Sequence, residues 1–370
     1  RVGLVQNRGI ITSAYLCFKT TEKLRSTYGY QLLNALDLMK VFYGMGSGLR
    51  QNLDFSDFKR MPVFLPPPDE QDAIVRFLGW ATNRLDHAIR AKRKVIALLD
   101  EQKRAIINSA ITRGLNSEVQ LRSSGNSWLG DIPSHWQVRR LKFVASHIVD
   151  CLHATPRYSE SGTHPAIRTA DISPGTVHVA GARRISASDY AKWTCRLVPA
   201  EGDILYSREG ERFGIAACVP PGVELCISQR MMVFRIKRAF NPSFVMHVLN
   251  GRSTYGQALQ DVMGATAPHV NISTIKNYFL ALPPEIGEQC EIVAHIQREC
   301  APLDVTTAKL EREIDLLREY RTRLVSDVVT GKLDVREAVL NLPEVASAEA
   351  TEDLDADLDE GEFEEEEVEA

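Results

Sequence analysis

Apolar residues recur at steps of four and three along two separate stretches of the chain. Ile74, Leu78, Ala81, Leu85, Ala88, Val95, Leu99 and Ile106 mark the first, and Ile292, Ile296, Leu303, Leu310, Leu317 and Leu324 fall at heptad places in the second. This spacing predicts a long amphipathic helix in each. Both follow prolines, Pro66-Pro67-Pro68 and Pro283-Pro284, and both place acid in the first turn (Asp69-Glu70, Glu285), where the helix dipole favours it. Lys92 and Gln102 interrupt the first stripe, whereas Leu310 and Tyr320 occupy those places in the second. The second stretch also contains Pro302, which should kink its helix or split it. About 45 residues rising about 1.5 Å each make a rod of roughly 65 Å. Two striped rods in one chain would most simply bury their stripes against one another, as an antiparallel coiled coil.

Between the rods, from Ser127 to Leu282, the period shortens. Short β-rich runs punctuated by Gly and Pro predict strands over Val138–Val144, Pro165–Thr169, Thr176–Val179, Asp203–Tyr206, Gly214–Val219 and Met231–Ile236, with a helix from Pro242 to about Leu259. The fold class is therefore α+β, with mixed domains joined by two long helices.

The chain also repeats itself with an offset near 218. Leu65-Pro66-Pro67-Pro68-Asp69-Glu70-Gln71 answers Leu282-Pro283-Pro284-Glu285-Ile286-Gly287-Glu288-Gln289, with one residue inserted. Downstream, Leu85-Asp86 matches Leu303-Asp304 and Leu98-Leu99 matches Leu316-Leu317; upstream, Ser13–Phe18 lies over Gln229–Phe234. One incomplete and one complete copy of a larger unit are expected, with roughly 90 residues of the first copy missing ahead of residue 1. The expected segments are 1–65, the remnant of a first domain; 66–118, its helix; 119–282, the complete domain; 283–340, the second helix; and 341–370, an acidic tail.

Composition adds less. With 44% apolar and 25% charged residues the chain reads as an ordinary soluble protein, with no secretory leader, no apolar run long enough for a membrane and a cytoplasmic location. The seven cysteines lie in no Cys-x-x-C pair and no Cys/His cluster, so free thiols are expected rather than disulfides or a metal site. The net charge of −4 conceals a division: Glu349–Ala370 holds 13 acidic residues and no Lys or Arg, leaving 44 basic against 35 acidic residues over 1–348. A mildly basic body with an acidic tail suits a phosphate-binding protein, although the tail by itself reads as a solvated, disordered terminus.

Two signatures carry a resemblance. The Pro-Pro-x-x-Glu-Gln entry to a long helix occurs at Pro66–Gln71 and again, with one residue inserted, at Pro283–Gln289, and Trp128-Leu129-Gly130-Asp131-Ile132-Pro133-Ser134-His135-Trp136 precedes Val138-Arg139-Arg140-Leu141; Gly202-Asp203-Ile204-Leu205 and Gly214-Ile215-Ala216 follow. Over residues 1–340 the chain resembles the specificity subunits of type I restriction–modification systems, lacking the start of the first of two target recognition domains. The resemblance implies a non-catalytic, DNA-sequence-reading subunit. Each recognition domain would dock on one half of a split double-stranded site, with the paired helices as spacer. Two methyltransferase subunits would bind, chiefly through those helices, and restriction/translocase subunits would join later. The partners, not this chain, would use S-adenosylmethionine, ATP and Mg. A structural coiled-coil spacer without DNA specificity is the alternative.

Other motifs give way to simpler accounts. Asn241-Pro242-Ser243-Phe244 approaches the Asn-Pro-Pro-Tyr/Phe loop of adenine methyltransferases, but reads better as a helix N-cap Asn followed by Pro at N1. Gly44–Gly48 lacks the Gly-Lys-Ser/Thr ending of a phosphate cradle, and Ser207-Arg208-Glu209-Gly210 lacks the framing glycines of a nucleophile elbow. No catalytic or metal-binding set is expected. For DNA, affinity needs Lys and Arg near phosphates, and discrimination needs Arg, Lys, Asn or Gln at base edges. The candidates are Arg168, Arg183, Arg184, Ser207, Arg208, Arg212, Gln229, Arg230, Lys237, His269 and Asn271 in the complete domain, and Arg50, Gln51 and Asn52 in the other copy; the loop Ser207–Phe213 stands out. Any one of them could equally be a solvated surface group.

Overall fold

Prolines end an extended segment and open a long helix twice in the computed structural model, which describes residues 2–343 except 6, 8, 11, 13, 14, 45, 48–51, 54–57 and 263–267. In chain order come α1 (Ser26–Leu38), the first rod α2 (Pro68–Arg113), β1 (Gln137–Arg140), β2 (Ala145–Asp150), β3 (His164–Ile167), β4 (Arg184–Ile185), β5 (Ile204–Ser207), β6 (Ala216–Cys218), β7 (Cys226–Ile227) and β8 (Met231–Ile236). Then follow α3 (Pro242–Leu249), α4 (Arg252–Val262), β9 (Phe279–Leu282), the second rod α5 (Ile286–Val329) and α6 (Arg336–Leu340). The chain divides into two compact units, one built from the chain up to Val95 and from Lys309 onward, the other spanning Ile96–Ala308. The division falls within both rods rather than at their ends.

In the first unit, Tyr28, Leu32 and Ala35 of α1 pack with Ile74, Leu78 and Ala81 of α2 and with Leu324, Val325, Val328 and Val329 of α5. Arg321 bonds Asp86 at 2.8 Å and Lys92 bonds Glu313. Partner numbers fall on α5 as they rise on α2, so the rods run antiparallel. Lys92, which breaks the apolar stripe, is accommodated by an ion pair across the seam, and Ile89 and Ile314 are buried in its neighbourhood. The sequence pattern misplaces two residues: Val95 and Tyr320 are exposed. Leu85, Leu99, Ile106, Leu303, Leu310 and Leu317 are half-buried, as two helices without a third layer allow.

In the second unit, β6, β5, β8 and β2 form a four-stranded antiparallel sheet in that order, and β4, β3 and β7 form a smaller one in which β3 and β7 run parallel. Trp136, Tyr206, Phe234, Phe244 and Leu249 centre the main core, which also takes in Ala110 and Ile111 of α2 and Ile292, Ile296 and Cys300 of α5. Lys103 and Asp304 pair across the rods here as well. The free edge of β6 is covered by a side chain: Asn250 accepts from Ala216 N and donates to Ala216 O, both at 2.9 Å, as a neighbouring strand would.

The two signatures prove to be one structure. Trp136 donates from Nε1 to Glu288 Oε1 at 2.9 Å, and His135 Nε2 lies 3.0 Å from Glu288 Oε2, joining the recognition-domain opening to the helix entry. Gln289, fully buried, accepts from Asn241 N at 2.8 Å and donates to Pro283 O at 2.9 Å. Asn241 is the N-cap of α3, its side chain accepting from Phe244 N, with Pro242 at N1, as expected. Trp128 lies over Gly256 of α4, where any Cβ would sit 2.6 Å from the ring.

Several expectations need correction. Of the two outcomes expected at Pro302, splitting does not occur: α5 continues through it, because the residue is exposed and the carbonyl it frees can meet water. The helix expected over 242–259 is two helices, turning at Asn250-Gly251. Val138–Val144 is strand only to Arg140 and then one helical turn, and β2, which follows, escaped the pattern. The described part of Ser13–Phe18, aligned with β8, forms no strand.

Candidate nucleic-acid interface

Strand register gathers three loops at one end of the main sheet. Ser207, the last residue of β5, pairs with Met231, the first of β8, and Asp150, the last of β2, pairs with Met232. The connections leaving these positions lie side by side. Arg183 stacks on Tyr158 with its guanidinium 5.1 Å from the ring centroid, and Tyr158 OH is 3.1 Å from Ser228 Oγ. Thr155 donates to Gln229 Oε1 at 3.3 Å. Gln229 and Arg230 are exposed in the turn before β8, with Arg230 in the left-handed region at φ 69°, where a non-glycine residue is uncommon. Arg208 N donates to Arg230 O, and Gly210 N to Pro268 O, so the loops are stitched to each other by backbone.

Of the sequence candidates, Arg183, Gln229, Arg230 and His269 come together on this surface. Arg168 lies behind them, half-buried, with Nε and Nη2 both spent on Asp171 at 2.8 Å; those hydrogen bonds raise its pKa still further. The others are placed differently. Ser207 and Arg208 are buried, and Arg208 is ion-paired with Asp150 and Glu209 rather than offered to solvent. Arg184, the first residue of β4, donates to Thr163 O at 3.0 Å in a separate cleft with Tyr190 and Glu224. Arg212 is tied to Ile172 O at 2.7 Å, and Asn271 to Asp261 at 3.0 Å. Lys237 sits at the far end of β8, its backbone bonded to Val144. Arg50 and Gln51 lie outside the described residues, as does the side chain of Asn52.

Residues not singled out from sequence complete the surface: His153, Thr155, Arg157 and Tyr158, all in the loop after β2, which lacks any motif. A second basic cleft, lined by Arg122, Arg139, Arg140, Phe143 and Phe279, lies beside β1 and β9; the run Arg139-Arg140-Leu141-Lys142-Phe143 was the available signal for it. Asp150, Cys151 and His153 bring three donor atoms within 4.8 Å of one another, a cluster that sequence spacing did not reveal. It reads as an ion-pair site. Burial, and then the Asp150 charge, push the Cys151 thiol up, which keeps it protonated, while the Arg208 guanidinium already faces Asp150. All seven cysteines are free.

Residues 133–314 match the family described as Type I restriction modification DNA specificity domain. That match spans just under half of the chain. The match takes in all nine strands named above and the first two-thirds of α5. The chain is 26% identical over 133 residues to the type I restriction enzyme EcoBI specificity subunit of Escherichia coli; the aligned part is 35% of this chain and spans 27% of that relative. A chain solved in a study of complex assembly and conformational transition of the type I R-M system shares the fold at a TM-score of 0.58 and 15% identity, covering 83% of this chain and 71% of that one. The HsdS subunit from Thermoanaerobacter tengcongensis superposes at 0.42 with 18% identity, over 84% and 72% of the two chains. A bare spacer without DNA specificity does not account for a specificity domain spread over most of the second unit.

Proposed function

We propose that this chain reads one half of a bipartite double-stranded DNA target through the sheet end that carries Arg183, Gln229, Arg230 and His269. That convergence is the observation on which the reading rests. Loops distant in sequence deliver two guanidiniums, an amide and an imidazole to one exposed surface, with the tools for phosphate attraction and for base-edge discrimination side by side. The antiparallel rods serve as the spacer that sets the distance between half-sites. Exposed apolar side chains on the rods, Val95, Leu316 and Tyr320 in one unit and Leu98 and Val305 in the other, suit the docking of two methyltransferase subunits, with restriction/translocase subunits joining the complex. Methyl transfer from S-adenosylmethionine and ATP- and Mg-dependent translocation belong to those partners; this chain binds and positions. Among the described residues no helix is long and apolar enough to cross a membrane, and the work is assigned to the cytoplasm, where DNA and partners meet.

The chain with its methyltransferase partner should prefer one duplex among random ones, with affinity falling steeply as salt rises because phosphate contacts release counterions. Replacing Arg183 and Arg230 by Ala should flatten that salt dependence. Equal affinity for every duplex would overturn the reading in favour of a scaffold.

A further inference from the structure

A buried guanidinium at the sheet end links two exposed histidines. Arg208, with its side chain only 4% exposed, faces Asp150 Oδ1 at 3.7 Å and donates from Nη2 to Glu209 Oε1. Asp150 Oδ2 lies 3.0 Å from His153 Nε2, and Glu209 Oε1 lies 3.1 Å from His269 Nδ1. The order His153, Asp150, Arg208, Glu209, His269 alternates nitrogen-bearing side chains with carboxylates and passes through three loops. Its centre is dry and its ends are wet: the His153 and His269 side chains are 64% and 46% exposed.

Burying a guanidinium is unfavourable unless it is paired, and an apolar side chain of similar size would often serve stability as well. The pairing here is also incomplete. Asp150 Oδ1 and Arg208 Nε are buried without a hydrogen-bond partner among the described residues, being too far apart to bond each other. What the arrangement does supply is orientation. Backbone bonds from Val270 N to Arg208 O and from Gly210 N to Pro268 O hold the His269 segment against the Arg208 segment, and Cys151 N to Met231 O anchors the His153 loop. Each imidazole holds one ring nitrogen beside a carboxylate, which favours the neutral tautomer protonated on that nitrogen and leaves the other ring nitrogen as the acceptor. An acceptor at a base edge recognises an exocyclic amine, N6 of adenine or N4 of cytosine in the major groove.

We infer that His153 and His269 are specificity-determining residues that read bases carrying an exocyclic amine, and that Arg208 is the positioning residue aligning both. The inference rests on the DNA-reading function proposed above and adds which atoms do the reading.

The test is selection from a pool of randomised duplexes by the full chain with its methyltransferase partner, followed by affinity measurements on the enriched motif. His153→Ala and His269→Ala should each lose about ten-fold discrimination at one motif position, leaving the salt dependence unchanged. Replacing adenine at that position by purine, which lacks the amine, should reproduce the loss in wild type and add nothing in the variant. Arg208→Lys keeps the charge but not the fork that reaches two carboxylates, and should relax both positions together. Should Arg208→Lys unfold, the two surface histidine variants decide. Unchanged motifs in both, or equal weakening on all duplexes with a shallower salt slope, would overturn the inference. A wild-type chain that enriches no motif would instead overturn the proposed function, and the inference with it.

Discussion

Gln289 Oε1 accepts the backbone N–H of Asn241 at 2.8 Å, and Gln71 Oε1 accepts that of Arg25 at 2.9 Å. Asn241 caps α3 and Arg25 caps α1, so each glutamine ties the entry of a rod to the start of a domain helix 48 or 46 residues earlier in the chain. The amides complete the bond set alike, Gln289 donating to Pro283 O and Gln71 to Pro66 O, both at 2.9 Å. Both side chains are fully buried. The Pro-Pro-x-x-Glu-Gln entry, repeated with one residue inserted, is thus a joint between rod and domain, in which the glutamine satisfies backbone groups that secondary structure leaves over.

Truncating that joint should be expensive. Gln289→Ala strands a buried donor and a buried acceptor, and an unsatisfied group of this kind costs roughly 1–3 kcal/mol. A fall in melting temperature of several degrees is expected by calorimetry, and Gln289→Glu should not rescue it, since a carboxylate cannot donate to Pro283 O. A melting temperature equal to wild type would mean that the joint carries no stability.

The rods should separate when their seam is hollowed. Leu78 is fully buried among Tyr28, Leu324 and Val328, and Leu78→Ala should cost about 2–5 kcal/mol by lost transfer energy and the remaining cavity. Val95→Ala, on the same helix but exposed, should change denaturant midpoints by less than about 0.5 kcal/mol.

Tyr206 and Tyr278 share one hydrogen bond of 3.1 Å between buried hydroxyls. Burial raises both pKa values well above the usual phenol value, so both stay protonated at any working pH. Removing one hydroxyl leaves the other buried and unpaired, whereas removing both leaves nothing unsatisfied. Tyr206→Phe and Tyr278→Phe should each cost about 1–3 kcal/mol and the double variant clearly less than their sum. Additive losses in chemical denaturation would contradict this.

Acid should weaken the second unit through His247. Burial, then the Lys103 charge, lower its pKa from 6.5 to about 4. Because the folded value lies below the unfolded one, the unfolded chain binds the extra proton first. Stability is therefore full above about pH 6.5 and is lost as pH falls toward 4, by up to about 3 kcal/mol. His247→Gln should flatten the dependence of melting temperature on pH in that window.

The long-range plan of the molecule was written in periodicity: stripes, proline entries and the repeat identified both rods and their antiparallel pairing. Asn241-Pro242 was also legible, because a cap is a local device. The reading surface was not. Arg183 and Arg184 are chemically identical neighbours, and only their tertiary partners, the Tyr158 ring for one and Thr163 O for the other, send them to different places. Arg208 looked like a loop cation, but the carboxylates that claim it come from Asp150, distant in sequence, and from its neighbour Glu209. His153, Thr155 and Tyr158 sit in a loop whose place is set by its partners and not by its own pattern. The seam was partly misread because Ile89 and Ile314, rather than Val95 and Tyr320, face inward.

The claim that one domain reads one half-site is tested most directly by sequencing the methylated positions of a host that carries this chain. With the wild type, deletion should abolish a bipartite motif, two short defined runs separated by unspecified bases. Gln229→Ala with Arg230→Ala should relax one run and leave the other and the spacing intact. A continuous motif, or equal relaxation of both runs, would contradict the account.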